Sequence, residues 1–165
     1  MLDKRNFYID GKWVKPSKID NLEVINPSNE EPFAIISLGF EEDTNLAIKA
    51  AKKAFIKWKE TSIKERITLL EKLLKIYKKR FDEMASTISI EMGAPINWSS
   101  SAQAASGQSH LEDFILRLKN FNFEEHFDSK SNNYISYEPI GVCGLITPWN
   151  WPINQIALKV MPALA

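Results

Sequence analysis

Val142-Cys143-Gly144-Leu145-Ile146-Thr147-Pro148-Trp149-Asn150-Trp151-Pro152-Ile153 is the stretch on which the fold turns. Residues 142–146 make a continuous apolar run, the pattern of a strand covered on both faces in a parallel sheet. Thr147-Pro148-Trp149-Asn150 then reads as a turn. Pro152 suits the first position of a helix predicted over residues 153–164, where its fixed φ helps and its missing N–H costs nothing. Strand, loop and helix in that order fit an open α/β sheet, in which ligands bind beyond the carboxyl ends of the strands. Residues 147–151 therefore occupy the position of a nucleotide site. They lack G-x-G-x-x-G, so a dinucleotide here is held without the usual glycine cradle.

Moving back along the chain, Tyr134-Ile135-Ser136-Tyr137 alternates and is ended by Pro139, which predicts another strand. Residues 121–133 are polar and aperiodic, the best linker candidate. A helix near residues 98–118 turns Ala102, Ala105, Leu111, Phe114 and Leu118 inward. Before it, Ile67, Leu70, Leu74, Tyr77, Phe81, Met84 and Ile88 recur at steps of three and four, one apolar stripe that opens behind the capping box Ser62-Ile63-Lys64-Glu65. Lys72, Lys75, Lys78, Lys79 and Arg80 fall on the back of that stripe and read as a solvated face. Gly93 and Pro95 end the run as cap and breaker.

A further helix is predicted from Asp43 or Thr44 to about Lys59, with Ala47, Ala50, Ala51, Ala54 and Trp58 on a face small enough for close packing. The first forty residues are strands. Phe7-Tyr8-Ile9 and Lys12-Trp13-Val14 flank Asp10-Gly11 as a tight hairpin, and residues 22–25 and 33–38 are divided by Asn26-Pro27-Ser28-Asn29.

Composition narrows the function classes. At 165 residues and 44 % hydrophobic, the chain is long enough to bury a core. Lys plus Arg and Asp plus Glu are 21 each, so no net field gathers nucleic acid or anionic lipid. The most apolar stretch, residues 140–165, is broken by Pro148, Asn150, Pro152, Asn154, Gln155 and Lys159, which argues against a membrane span. A lone cysteine forms no internal disulfide and residues 1–10 have no secretory pattern, so the cytoplasm is the expected location. His110 and His126 are too isolated for a metal site, and none is assigned. Met161-Pro162-Ala163-Leu164-Ala165 closes without a polar tail, which reads as an interrupted chain.

Glu138-Pro139-Ile140-Gly141-Val142-Cys143-Gly144-Leu145-Ile146-Thr147-Pro148-Trp149-Asn150-Trp151-Pro152, with Lys159 and Pro162-Ala163-Leu164-Ala165, closely resembles the entry to the cofactor domain of NAD(P)-dependent aldehyde dehydrogenases. Phe7-Tyr8-Ile9-Asp10-Gly11-Lys12-Trp13-Val14, Asn26-Pro27-Ser28 and Ile90-Glu91-Met92-Gly93-Ala94-Pro95 agree in order and spacing. The resemblance implies an α/β chain from the amino-terminal portion of that fold, with the start of a Rossmann-like parallel sheet: a helical part of the cofactor-binding domain over residues 1–126, the start of an oligomerisation arm over 127–141, and the first strand, loop and helix of the Rossmann-like cofactor domain, incomplete here, over 142–165. It implies oxidation of an aldehyde to a carboxylic acid with NAD or NADP through a cysteine thiohemiacetal, and a homo-oligomer, dimer or tetramer, when full length.

On the matching positions, Asn150 is implied as an oxyanion donor; its neutral NH₂ binds developing negative charge without a proton that titrates near neutrality. The competing reading is a turn asparagine bonded to its own backbone. Lys159 is implied in a proton relay, against a snorkelling lysine. Ile146, Thr147, Pro148 and Trp149 are implied to line the nicotinamide-ribose side of the cofactor. Trp151 and Leu158 are implied to line the substrate tunnel, with the helix carrying Trp98 near its mouth. Cys143, in the middle of the expected strand, reads as an inert core residue. The family's nucleophile, general base and remaining cofactor contacts fall later in the chain, so these residues alone are expected to be inactive. A rival from another class is a non-catalytic interaction module that associates with full-length subunits. The Pro-Trp-Asn pattern argues against a CoA-acylating relative.

Overall fold

The fold, taken from a computed structural model, is described for residues 1–128 and 132–165. Strands come first: Leu2–Lys4 (β1), Phe7–Ile9 (β2), Lys12–Val14 (β3), Asn21–Asn26 (β4) and Glu31–Ser37 (β5). β2 and β3 form the expected hairpin. Asp10 and Gly11 have φ of 50° and 75°, the two left-handed positions that a type I′ turn needs. β5 is the centre of a three-stranded sheet, antiparallel to β4 and parallel to β1. β1 had no apolar alternation to reveal it; all three of its residues are exposed and pairing with β5 alone defines it.

The helices are Glu41–Trp58 (α1), Ile63–Lys79 (α2), Phe81–Met92 (α3), Ile96–Trp98 (α4), Ala105–Lys119 (α5) and Pro152–Leu164 (α6), with a π-helical turn at Ser99–Ala104 between α4 and α5. At the start of α1, buried Asp43 accepts hydrogen bonds from the Phe40 backbone N–H at 3.0 Å and from the Ser17 N–H and hydroxyl at 2.8 and 2.9 Å. The alanine face expected to pack closely is not buried. Ala47, Ala51 and Ala54 are exposed, and Ala50 and Trp58 are half-buried. The periodicity marks a face suited to a neighbour; here α1 meets β2 and, at its first turn, Ser17 and Lys18.

The long stripe holds, although Arg80, at φ −108° and ψ 18°, divides it into α2 and α3. Leu70, Tyr77 and Ile88 are buried, and Ile67, Leu74, Phe81 and Met84 pack beside them. Ser62 and Glu65 exchange the predicted capping-box bonds at 2.8 and 3.2 Å. The main core joins α2, α5 and α6 through Leu70, Tyr77, Leu111, Ile115, Leu118, Ala157 and Met161. Burial of each large member contributes about 1.5–3 kcal/mol.

The π turn changes the phase of the next helix. One extra residue per turn moves the inward face, so Ala104 and Ile115 are buried while Ala105 and Phe114 are only partly so. Tyr77 Oη donates to the Ala104 carbonyl at 2.8 Å, and burial pushes the phenol up to about 12. A Cβ on Gly107 would lie 2.7 Å from both Ile153 Cγ1 and Tyr77 Oη. That glycine is where α2, α5 and α6 converge.

Two expectations are corrected near the end. Residues 121–133, expected as a linker, contain the strand Glu124–His126 (β6), antiparallel to Tyr134–Ser136 (β7). All residues of both strands are exposed, so β6 had no buried face to write an alternating pattern. Residues 129–131 of the expected linker lie outside the described residues. The strand expected over 142–146 does not form: Val142, Leu145 and Ile146 are 40, 41 and 87 % exposed. A strand exists only through ladder partners, and no described strand pairs with this one. α6 begins at Pro152, as expected. Among the described residues no helix is long and apolar enough to cross a membrane.

Candidate active site

The loop between the unpaired stretch and α6 forms part of an open cleft of about 510 Å³. Thr147, Pro148, Trp149, Pro152 and Ile156 line it together with Val24, Ile25 and Pro27 from β4 and its turn, and Glu91 and Met92 from the end of α3. Gly93, at φ 75°, ends α3 in the left-handed conformation and turns the chain away at the cleft edge. Glu91 keeps exposed surface, yet desolvation by its neighbours raises its carboxyl above the usual range. Neither Glu91 nor the β4 residues carry any local pattern that marks a cleft; their sequence reads as helix end and strand.

Thr147, Pro148 and Trp149 are thus brought together, while Ile146 stands outside the lining, 87 % exposed. Asn150 follows at the exposed bend between Trp149 and α6. Its side chain makes no hydrogen bond to another described residue, so the self-bonded turn asparagine is not formed. Trp151 is half-buried, its indole Nε1 donating to Ser106 Oγ at 3.1 Å and its ring edge-on to Trp98 at 5.9 Å. On α6, Leu158 is 42 % exposed and Lys159 half-buried, whereas Ala157 and Met161 face the core. Cys143 is exposed, not buried; without the strand there is no core to receive it, and its Sγ lies 3.9 Å from the Gly141 carbonyl. Among the described residues no three His, Cys, Asp or Glu side chains are grouped to hold a metal ion.

The model of the aldehyde dehydrogenase family matches residues 13–165. The chain belongs to the aldehyde dehydrogenase family. Its mixed α/β architecture is that of the amino-terminal portion of this family's fold. It is 47 % identical over 166 residues to the 3-succinoylsemialdehyde-pyridine dehydrogenase of a Pseudomonas species, an alignment that takes in 100 % of this chain and 34 % of that protein. The chain therefore spans about a third of the length of the curated relatives it matches. Among solved structures, an aldehyde dehydrogenase from Bartonella henselae superposes with a TM-score of 0.97 at 54 % identity, over 99 % of this chain and 35 % of that one. A mutant aldehyde dehydrogenase C from Pseudomonas syringae, complexed with NAD+ and octanal, gives 0.93 at 37 % identity over 97 % and 32 %.

The aldehyde dehydrogenase cleft can be tested for a dinucleotide on its own residues. Thr147 and Pro148 line it, and Trp149 is 79 % exposed. An apolar wall of this kind suits a planar ring such as nicotinamide. A pyrophosphate finds no glycine cradle in this stretch.

Proposed function

We propose that these residues form the cofactor-facing and oxyanion-binding part of an enzyme that oxidises an aldehyde to a carboxylic acid with NAD⁺ or NADP⁺. The observation that carries the reading is the exposed, unbonded amide of Asn150, held directly after the cleft-lining Thr147, Pro148 and Trp149. When bound, the nicotinamide supplies the hydride acceptor. Ile146, Thr147, Pro148 and Trp149 would hold its ribose side; Ile146, though outside the present lining, is exposed and adjoins Thr147.

Asn150 Nδ2–H donates to the aldehyde oxygen as thiolate attack turns it into an oxyanion, and binds that oxygen more tightly than the ground-state carbonyl. Lys159, half-buried on the helix that Asn150 precedes, would serve the proton relay. Trp151 and Leu158 would contact the substrate chain. The thiolate is supplied by a cysteine beyond these residues, since Cys143 has neither a histidine nor a helix amino terminus beside it to activate it. Residues 1–165 alone are therefore inactive in this reading.

The exposed β6–β7 hairpin supports a subunit-contact role for residues 127–141, in a homodimer or homotetramer, because open ladder edges favour pairing with another chain. A 1–165 chain that co-elutes with full-length subunits without activity would favour the interaction-module reading.

The test is a full-length enzyme carrying these residues, assayed for aldehyde-dependent NADH or NADPH formation. Asn150→Ala lowers turnover by ~10²-fold, the usual cost of one oxyanion donor. Wild-type turnover in that variant overturns the assignment.

A further inference from the structure

One face of α5 grips the first turn of α6 at three successive points. Ser106 Oγ accepts from Trp151 Nε1 at 3.1 Å. One residue on, Gly107 leaves the space that Ile153 occupies, its missing Cβ falling 2.7 Å from Ile153 Cγ1. One turn further, His110 Nε2 lies 2.7 Å from Asn154 Oδ1 in a partly buried contact. Ser106 and His110 are four residues apart and so share a helix face, as do Trp151 and Asn154 three apart on the other side.

We propose that His110, with Ser106, is a positioning residue: its hydrogen bond to Asn154 fixes the first turn of α6 and thereby the direction of the Asn150 amide, immediately before that turn. Asn154 Oδ1 only accepts, so His110 Nε2 carries the proton; the neutral Nε2–H tautomer and the imidazolium both make the bond. α6 has no side-chain cap at its amino end, and Pro152 contributes no N–H there. Nothing within α6 itself therefore sets its starting orientation, which leaves that task to the contacts from α5. An oxyanion donor must be held within about 0.5 Å of its productive place, and two directed hydrogen bonds on either side of a glycine contact restrict both tilt and rotation. Packing alone restricts these less.

The catalytic part of this inference rests on the proposed function, so the experiment carries two readouts in the same full-length enzyme. His110→Leu keeps bulk and removes the donor, whereas His110→Gln places an N–H close to the original Nε2. Hydrogen exchange is read at the α6 amides of residues 155–158, which donate to the carbonyls of the clamped turn; Gln155 N–H donates to Trp151 O at 3.0 Å. The clamp predicts faster exchange there in His110→Leu and near-normal exchange in His110→Gln. Turnover follows the same order, kcat falling about tenfold in His110→Leu with the aldehyde KM little changed, and recovering in His110→Gln. Equal behaviour of the Leu and Gln variants, or unaltered exchange in His110→Leu, overturns the clamp. An enzyme without aldehyde oxidation in its wild-type form overturns the functional reading instead, and exchange alone then decides whether His110 orients α6.

Discussion

Gly93 lies directly against Pro27: a Cβ on the glycine would fall 2.7 Å from Pro27 Cγ. The contact joins the end of α3 to the turn after β4 at the rim of the cleft, and φ 75° at Gly93 independently disfavours a side chain. Gly93→Ala should therefore lose about 2 kcal/mol, the left-handed cost plus displacement of the proline ring. A urea-unfolding midpoint equal to that of the unsubstituted protein would contradict this.

Gly107→Ala sets two effects against each other. Alanine gains about 1 kcal/mol of helix propensity, but its methyl meets Ile153 and Tyr77 at 2.7 Å. Overpacking costs about 1–3 kcal/mol and wins. The variant melts below the parent, and a rise in Tm would show that α6 yields freely.

Tyr77 links pH to the core. Its phenol is raised to about 12, so the folded state holds the proton more tightly than the unfolded chain. This contribution is complete below about pH 10, the ordinary tyrosine value, and is lost as pH rises toward 12. Tyr77→Phe should flatten the alkaline limb of a stability–pH curve and lose about 1–3 kcal/mol at neutral pH, because the buried Ala104 carbonyl loses its donor. An unchanged alkaline slope measured by denaturant titration would refute the linkage.

Asp43 gives the opposite sign. Hydrogen bonds from the Phe40 N–H, and then from Ser17, lower its pKa below the ordinary aspartate range. The stabilisation is present above about pH 4 and disappears as pH falls through the lowered folded value. Asp43→Asn should reduce the loss of stability on acidification below about pH 4, as followed by circular dichroism. A variant that acid-unfolds along the parent curve would exclude Asp43 as a contributor.

The sequence revealed those elements whose residues carry their own partner or period. Asp10-Gly11 specifies a hairpin, Ser62 and Glu65 bond each other, and the stripe from Ile67 to Ile88 requires only that α2 and α3 meet a core. It was silent where pairing with distant residues decides the outcome: β1 exists because Leu2 lies opposite Ala34, and β6 because Glu124 lies opposite Ser136. Residues 142–146 are the reverse case, a strand composition with no ladder partner among the described residues. At the site, the positions of Thr147, Pro148, Trp149 and Asn150 were legible through family resemblance. The His110–Asn154 contact was not, since it joins residues dozens of positions apart.

Ile140, Ile146 and Trp149, exposed at 93, 87 and 79 %, form a run of apolar surface beside the cleft. Any further strand laid against residues 142–146 would bury that surface at about 25 cal/mol per Å² and satisfy their main-chain groups in the same step, so docking there would be apolar burial and ladder formation at once.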